Sequence, residues 1–166
     1  MSLNGTMQAF DASSMVYAWD NYPIRQFPGL WEWMAAQIVK KVLVMPDVAL
    51  EEVSKEAPEC GQWLEENNIE KLDINNLIIQ NAMRIKCLLG IVGDSYHPKG
   101  VGENDILIIA TARAHGAELI SDEGKQNQLP DKMAKRKIPA VCDMDEVSVP
   151  CISFVEYIKR SDVIFR

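Results

Sequence analysis

The chain has 166 residues, of which 48% are hydrophobic and 25% charged, and its 24 acidic and 17 basic residues give a net charge of -7. This composition excludes intrinsic disorder, and the length predicts one domain over residues 1–166. The longest apolar runs, such as 106–110, are far shorter than the roughly 20 residues that cross a bilayer, so we expect no membrane segment.

The N-terminus lacks a basic stretch followed by an apolar one, which predicts no secretory signal, and residues 1–6 are interpreted as a tag remnant or a disordered start. The four cysteines form no CxxC pair, so we expect a reduced, cytoplasmic chain without a zinc site. A negative net charge at first sight opposes a nucleic-acid partner. Acids that bind a divalent cation are neutralised by it, however, and do not repel a phosphate. The positions of the acidic residues therefore matter more than the net charge.

Apolar runs and turn residues predict alternating strands and helices. The predicted elements are a strand at 7–12 with a helix that Ser13 or Ser14 can cap, a helix ending near residue 39, a strand at 42–46, helices at 48–57, 60–68 and 74–92, a loop at 93–102, a helix at 106–116, strands at 117–121 and 138–144, and a helix at 153–161. Strands separated by helices indicate an α/β fold in three α/β/α layers around a parallel sheet. Trp31 and Trp33 favour packing in the core or a dimer face over base stacking.

Acidic residues stand where predicted strands end or helices begin. They are Asp11 after the first strand, Glu51 or Glu52 on the helix after the second, Asp105 at a helix start, and Asp122 with Glu123 after the third strand. Because the carboxyl ends of parallel strands share one edge of a sheet, these acids can converge in one cleft. Clustered carboxylates repel unless they are protonated or bound to hard cations, and oxygen ligands suit Mg²⁺ or Mn²⁺.

Each acid taken alone has another explanation. Asp11 and Asp105 can be helix caps, and the glutamates can be solvated surface charges. The joint pattern is what favours a metal site.

Three segments carry a resemblance to a known family. "FDASSMVYAW", "PDVALEEVSK" and "ENDILIIATARAHGAELISDEGK" together resemble the PIN-domain ribonucleases, metal-dependent RNA-cleaving proteins that include the VapC toxins of toxin-antitoxin pairs. The similarity spans nearly the whole chain, and it is closest to a PIN-like branch with an aspartate-alanine-serine opening and a "PGLWEW" helix. The resemblance implies a PIN-like fold, Mg²⁺ or Mn²⁺ as cofactor and RNA as substrate.

The resemblance also implies roles for individual residues. Asp11, Glu52, Asp105 and Glu123 would be the metal-binding, catalytic acids, Ser13 and Ser121 would support them, and Asp122 is the alternative for the fourth acid. That acid is an aspartate in most members. A basic group that can contact the RNA backbone comprises Lys125, Lys132, Lys135, Arg136 and Lys137, although a solvated loop explains it equally well.

The resulting hypothesis is a ribonuclease, the toxin of a toxin-antitoxin pair, with an antitoxin partner and a homodimeric state taken from the family analogy. One alternative is a catalytically inactive PIN-like module for protein binding or dimerisation, which the Trp-rich helix would suit. A haloacid-dehalogenase-type phosphatase is disfavoured because that chemistry needs a second aspartate where this chain has Ser13.

Overall fold

Five short strands form one parallel sheet. The computed structural model describes residues 6–166; residues 1–5, part of the predicted tag remnant, lie outside the described residues. The strands are β1 (Gln8–Phe10), β2 (Leu43–Pro46), β3 (Glu70–Leu72), β4 (Glu118–Ile120) and β5 (Cys151–Ile152). Their order is β3-β2-β1-β4-β5, and each neighbouring pair is parallel. The predicted α/β class with a central parallel sheet is confirmed.

Helices flank this sheet. They are α1 (Ala12–Asn21), α2 (Pro28–Val39), α3 (Asp47–Glu56), α4 (Pro58–Glu66), α5 (Asn76–Leu88), α6 (Glu103–Ala114), α7 (Ile138–Cys142) and α8 (Phe154–Ser161), with a 3₁₀ turn at Met133–Lys135. Helix α5 packs on α6, and α3 packs on α1, α4 and α6. These contacts bring the start of α6 to α3, although the two elements are about fifty residues apart in the chain.

The central strands are buried at every residue, as expected for a parallel sheet covered on both faces. Gln8 of β1 is in register with Leu43 of β2 on one side and with Glu118 of β4 on the other. The carboxyl ends of β1 and β4 therefore lie side by side, and the residues that follow them face the same cleft.

The prediction of a strand at 138–144 is wrong, because the segment begins with helix α7. Pro139 lies in the first turn of that helix. Backbone N–H groups there have no acceptor within the helix, so proline loses no hydrogen bond. The neighbouring strand β5 is two residues long, and the edge strand β3 has the sequence Glu-Lys-Leu. Neither presents the apolar run by which a buried strand is recognised.

The Trp-rich helix α2 packs inward. Trp31 is 1% exposed, its ring meets those of Trp19 and Trp63, and its Nε1 donates to the Tyr22 carbonyl at 2.6 Å. Trp33 is partly buried against Tyr157 and Phe165. These contacts confirm the core interpretation for Trp31.

Among the described residues, no helix combines the length and apolarity needed to span a bilayer.

Candidate metal centre

Asp11 lies at the carboxyl end of β1, the central strand. Its backbone N–H donates to the Ile120 carbonyl at 3.0 Å, so the ends of β1 and β4 are joined. Its side chain is 1% exposed. Strand β1 has β2 on one side and β4 on the other, and open α/β sheets form a ligand crevice where the connections leave in opposite directions. Asp11 stands at that crevice.

Two serine hydroxyls hold one oxygen of Asp11. Ser14 Oγ donates to Asp11 Oδ2 at 3.3 Å, and Ser121 Oγ donates to the same atom at 3.4 Å. Backbone amides after β4 fix both hydroxyls: Asp122 N donates to Ser14 Oγ at 2.7 Å and Glu123 N to Ser121 Oγ at 3.4 Å. Asp11 Oδ2 is therefore held by one residue that follows β1 and one that follows β4.

The structure differs from the sequence prediction at Ser13. Ser14 makes the hydrogen bond to Asp11, while Ser13 is exposed. Asp11 immediately precedes α1, and a residue three positions further along a helix returns to the same side. The helical phase thus turns Ser14 toward Asp11 and leaves Ser13 facing outward.

Asp105 and Glu52 reach the cleft from α6 and α3. Asp105 is in the first turn of α6, and its Oδ2 accepts a hydrogen bond from Gly102 N at 2.9 Å, so the residue does have part of the capping role considered above. The next residue back, Asn104, donates from its side-chain amide to Glu52 Oε1. Glu51, the other candidate on α3, is exposed. The start of α6 therefore holds both Asp105 and Glu52 in place.

The two acids after β4 point to different partners. Glu123 Oε2 accepts a hydrogen bond from Ile138 N, at the start of α7, at 2.8 Å. Asp122 Oδ1 accepts from Phe154 N, at the start of α8, at 2.9 Å. Asp122 Oδ2 is buried and lacks a hydrogen-bond partner within residues 6–166. Asp122 is thus engaged with the N-terminus of α8, whereas Glu123 faces the other acids.

Three other acids lie close enough to Asp11 for their charges to affect its pKa. Burial, followed by the charges of Asp105 and Glu123 and more weakly that of Glu52, raises the pKa of Asp11 from 3.8 to about 7, although the Ser14 hydrogen bond opposes this. Burial and Glu123 also raise the pKa of Asp105, against the lowering effect of the Gly102 hydrogen bond. We call Asp11, Glu52, Asp105 and Glu123 the acid cluster. No salt bridge found among the described residues involves any of its members.

The donor atoms of the acid cluster fit a hard divalent cation. All four groups are carboxylates, the ligand type that Mg²⁺ and Mn²⁺ prefer, and each has one oxygen held by a hydrogen bond while the other is left for a ligand. In the side-chain arrangement of residues 6–166, no three Asp, Glu, His or Cys side chains close around a point that could hold a metal. The acids would have to draw together to bind a cation.

The predicted basic residues lie on the segment after the fourth acid. Lys125 lines a cavity of about 270 Å³ together with Ser121 and Glu123. Lys132 and Lys137 are exposed, and Lys135 and Arg136 are half-buried. Lys125 is therefore the basic residue that the structure places beside the acid cluster.

A second loop packs against this basic segment. Val101 N donates to the Arg136 carbonyl at 3.0 Å, and a Cβ on Gly100 would lie 1.8 Å from the Ala134 carbonyl oxygen, so only glycine fits there. The same loop carries His97, whose pKa is lowered by partial burial and by nearby lysines, including Lys99. The basic surface is thus larger than the sequence alone indicates.

The sequence pattern misses two residues that contact the acid cluster, Ser14 and Asn104, and one further basic residue, Lys99. Ser14 could have been found from its spacing of three from Asp11 along a helix. Asn104 could not, because its partner Glu52 is 52 residues away in the chain. Lys99 joins the basic residues only through the packing of two loops.

A family comparison covers almost the whole chain. The model for a family described as "Domain of unknown function (DUF4411)" matches residues 9–165. The chain belongs to the DUF4411 family. The match includes all four members of the acid cluster. No curated protein matches the sequence.

Two solved structures match this DUF4411 chain in a structural comparison. The first is VapBC2 from Rickettsia felis bound to a DNA fragment from their promoter, which is 16% identical with a TM-score of 0.56 over 89% of this chain and 98% of that one. The second is PAE2754 from Pyrobaculum aerophilum, which is 13% identical with a TM-score of 0.44 over 82% and 86%. The first likeness shows that the DUF4411 chain has a PIN-like fold of the VapC type.

Proposed function

We propose that this chain is a metal-dependent endoribonuclease that hydrolyses RNA phosphodiester bonds at the acid cluster. The observation that carries the proposal is the buried Asp11, which stands at the crevice of the sheet beside three further carboxylates that raise its pKa. A buried acid among acids is unfavourable unless it is protonated or a cation neutralises it. A bound divalent cation supplies that neutralisation.

Asp11 and Asp105 are the residues that would hold Mg²⁺ or Mn²⁺ directly, and Glu52 and Glu123 would support it. When bound, such an ion polarises the phosphate and lowers the pKa of a water. Ser14 and Ser121 orient Asp11, Gly102 N orients Asp105, and Asn104 orients Glu52. These hydrogen bonds orient one oxygen of each acid from strand ends and helix starts, and the cation would draw the remaining oxygens together.

The basic residues would contact the RNA backbone. Lys125 is best placed because it shares a cavity with Glu123. Phosphate contacts of this kind position a strand without reading its sequence, and they weaken as salt rises.

A cleavage assay tests the proposal. Purified wild-type protein should cut a mixed-sequence single-stranded RNA in Mg²⁺ or Mn²⁺ and should stop when the metal is chelated. Asp105→Asn should remove the activity, and Glu51→Gln, on the exposed neighbour of Glu52, should keep it. Cleavage that persists in Asp105→Asn or in chelator would contradict the proposal.

The VapC-type fold also supports the proposal that the chain is the toxin of a toxin-antitoxin pair and forms a homodimer. The antitoxin would be a protein expressed from a neighbouring gene. Expression alone should arrest growth, and coexpression with the neighbouring protein should restore it and give a co-purifying complex. Light scattering of the isolated chain would show whether its mass is twice that of one chain.

The inactive binding module loses one of its supports. That reading was attractive because of the Trp-rich helix, but Trp31 is 1% exposed and Trp33 packs on Tyr157 and Phe165. Trp31 is therefore unavailable for docking, and Trp33 keeps only part of its surface exposed.

A further inference from the structure

A cavity of about 440 Å³ borders the acid cluster. Tyr17, Tyr22, Phe154 and Val155 form its apolar side, and Ser14 and Glu123 are among its polar residues. Ser14 is also the residue that holds Asp11, so the cavity and the acids share a wall. We call this cavity the aromatic pocket. Its aromatic residues have no role in the proposed metal site.

The inner wall of the aromatic pocket is rigid. The Tyr22 ring meets Phe154 edge-on at 5.8 Å between centroids and meets Phe27 in the same way at 5.6 Å. Phe154 in turn packs on Phe10 at 5.4 Å, and Phe10 is the residue before Asp11. A continuous series of aromatic contacts thus fixes Tyr22 relative to the acid cluster.

The outer wall is exposed and apolar. Tyr17 is 52% exposed and Val155 is 43% exposed. Tyr17 follows Ser14 by three residues on α1, so both lie on the same side of that helix. An exposed aromatic ring beside a candidate catalytic group has no evident role in folding, because it buries only part of its surface.

The chemistry of the lining residues limits what the pocket can hold. Its charged lining residues are the acids Asp122 and Glu123, and none of its lining residues is basic. A phosphate would therefore be repelled, whereas a flat, neutral group with polar edges would find aromatic surfaces and the Ser13 and Ser14 hydroxyls. A volume of this size is typical of small-ligand sites.

We propose that the aromatic pocket takes one unpaired nucleobase of the RNA strand, next to the phosphate that lies at the acid cluster. Tyr17 stacks on the base, and Tyr22 and Val155 complete the apolar contact. The inference rests on the proposed ribonuclease function. A base in a duplex is already stacked and paired, so the pocket selects single-stranded RNA, and stacking tolerates any base.

A binding cycle tests the pocket separately from cleavage. Asp105→Asn protein, which should not cut, is titrated in Mg²⁺ with fluorescein-labelled hexauridylate. The titration is repeated with a set of strands that each lack one base at a different position. One abasic position should weaken binding by about 5- to 150-fold, the range expected for loss of one base–aromatic stack. Adding Tyr17→Ala should weaken binding of the intact strand by a similar factor and abolish the effect of that abasic position.

Two matched variants serve as controls. Tyr17→Phe keeps the ring and should bind within about twofold of the parent, since stacking depends on the aromatic face. Leu77→Ala removes a side chain that is 62% exposed on α5, outside the pocket, and should bind like the parent. Because Tyr17 is half exposed, the Tyr17→Ala variant should fold. Circular dichroism of Tyr17→Ala and Leu77→Ala checks this.

The outcomes separate the pocket from the nuclease. If the wild type cleaves RNA but Tyr17→Ala leaves oligonucleotide affinity and KM unchanged, the pocket inference is overturned and the nuclease stands. If the abasic effect depends on Tyr17 but no RNA is cut, the pocket stands and the proposed function falls. A pocket that instead docks an apolar side chain of a protein partner would show no abasic effect, which also overturns the inference.

Discussion

Two buried carboxylates at opposite ends of the β1–β4 pair differ in their partners. Glu118, at the amino end of β4, is 7% exposed and accepts hydrogen bonds from Arg160 Nη1 at 2.8 Å and from Gln8 Nε2 at 3.3 Å. Asp11, at the carboxyl end of β1, is 1% exposed and has two serine hydroxyls and three acids around it. Within residues 6–166, the fold supplies a cation for the first acid and no salt-bridge partner for the second. A structural carboxylate and a ligand-binding one can thus be told apart by what neutralises them.

The largest expected difference between these two acids is in cleavage. Asp11→Asn should lower kcat/KM on RNA by about 1,000-fold or more, since it removes a ligand whose charge the metal requires. Glu118→Gln should change kcat/KM by less than about threefold, because Glu118 lies at the other end of the strand pair. Initial rates at saturating Mn²⁺ give both values, and equal losses in the two variants would remove the distinction between the acids.

The second expected difference is whether each substitution stabilises or destabilises the metal-free protein. Asp11 has its pKa raised from 3.8 to about 7, so between those values the folded state keeps a proton that the unfolded state releases. Wild-type stability should therefore fall as pH rises from about 4 to 7 and stay low above it. Asp11→Asn lacks this penalty and should be more stable than wild type by about 2 to 4 kcal/mol at pH 8, with no gain near pH 4.

Urea denaturation in chelator at both pH values measures this difference. Saturating Mn²⁺ at pH 8 should stabilise the wild type and leave Asp11→Asn unchanged, because a ligand that binds only the folded state adds its binding free energy. A loss of stability in Asp11→Asn at pH 8 would show that Asp11 serves the fold as Glu118 does.

The hydroxyls around Asp11 offer a smaller test. Ser14→Ala should weaken Mn²⁺ binding by about tenfold, the lower end for removing a residue that orients a metal ligand. The neighbouring Ser13→Ala is the matched control and should bind Mn²⁺ like the wild type, because Ser13 is exposed and Ser14 makes the bond. Calorimetric titration compares the two, and an effect of Ser13→Ala alone would favour the residue that the family resemblance selects.

The smallest expected effect belongs to the paired acid. Glu118→Gln should destabilise the chain by about 1 kcal/mol at every pH between 5 and 8, since Arg160 is 54% exposed and solvent screens the pair. Arg160→Gln should do the same, and the double variant should add little to either single change. Chemical denaturation of the three variants checks this, and an effect of 4 kcal/mol or more would mean that the pair is buried more completely than the structure shows.

The sequence predicts the part of the fold that apolar runs encode. The runs that become β1, β2 and β4 are recognisable, and so is the placement of Asp11 after a strand and of Asp105 at a helix start. The edge strands escape because β3 has the sequence Glu-Lys-Leu and β5 is two residues long, so tertiary pairing rather than local pattern defines them. The apolar segment at 138–144 is too short for its period to separate helix from strand.

Within the site, the sequence predicts that the acids lie near one another better than it predicts their contacts. Asp11 and Asp105 stand out by position, and the family resemblance selects Glu52 and Glu123. Which hydroxyl faces Asp11 depends on the phase of α1. The aromatic pocket depends on side chains of α1 and α8 that meet only in the folded chain.

A crystal of the wild-type protein soaked in Mn²⁺ would show whether Asp11 and Asp105 hold a metal, because the anomalous signal locates the ion itself. We expect an anomalous peak bound by carboxylate oxygens of Asp11 and Asp105, which is absent from crystals of Asp11→Asn and retained in those of Glu118→Gln. A fully soaked wild-type crystal with no peak at these residues, or with Asp11 facing a basic side chain instead, would contradict this expectation.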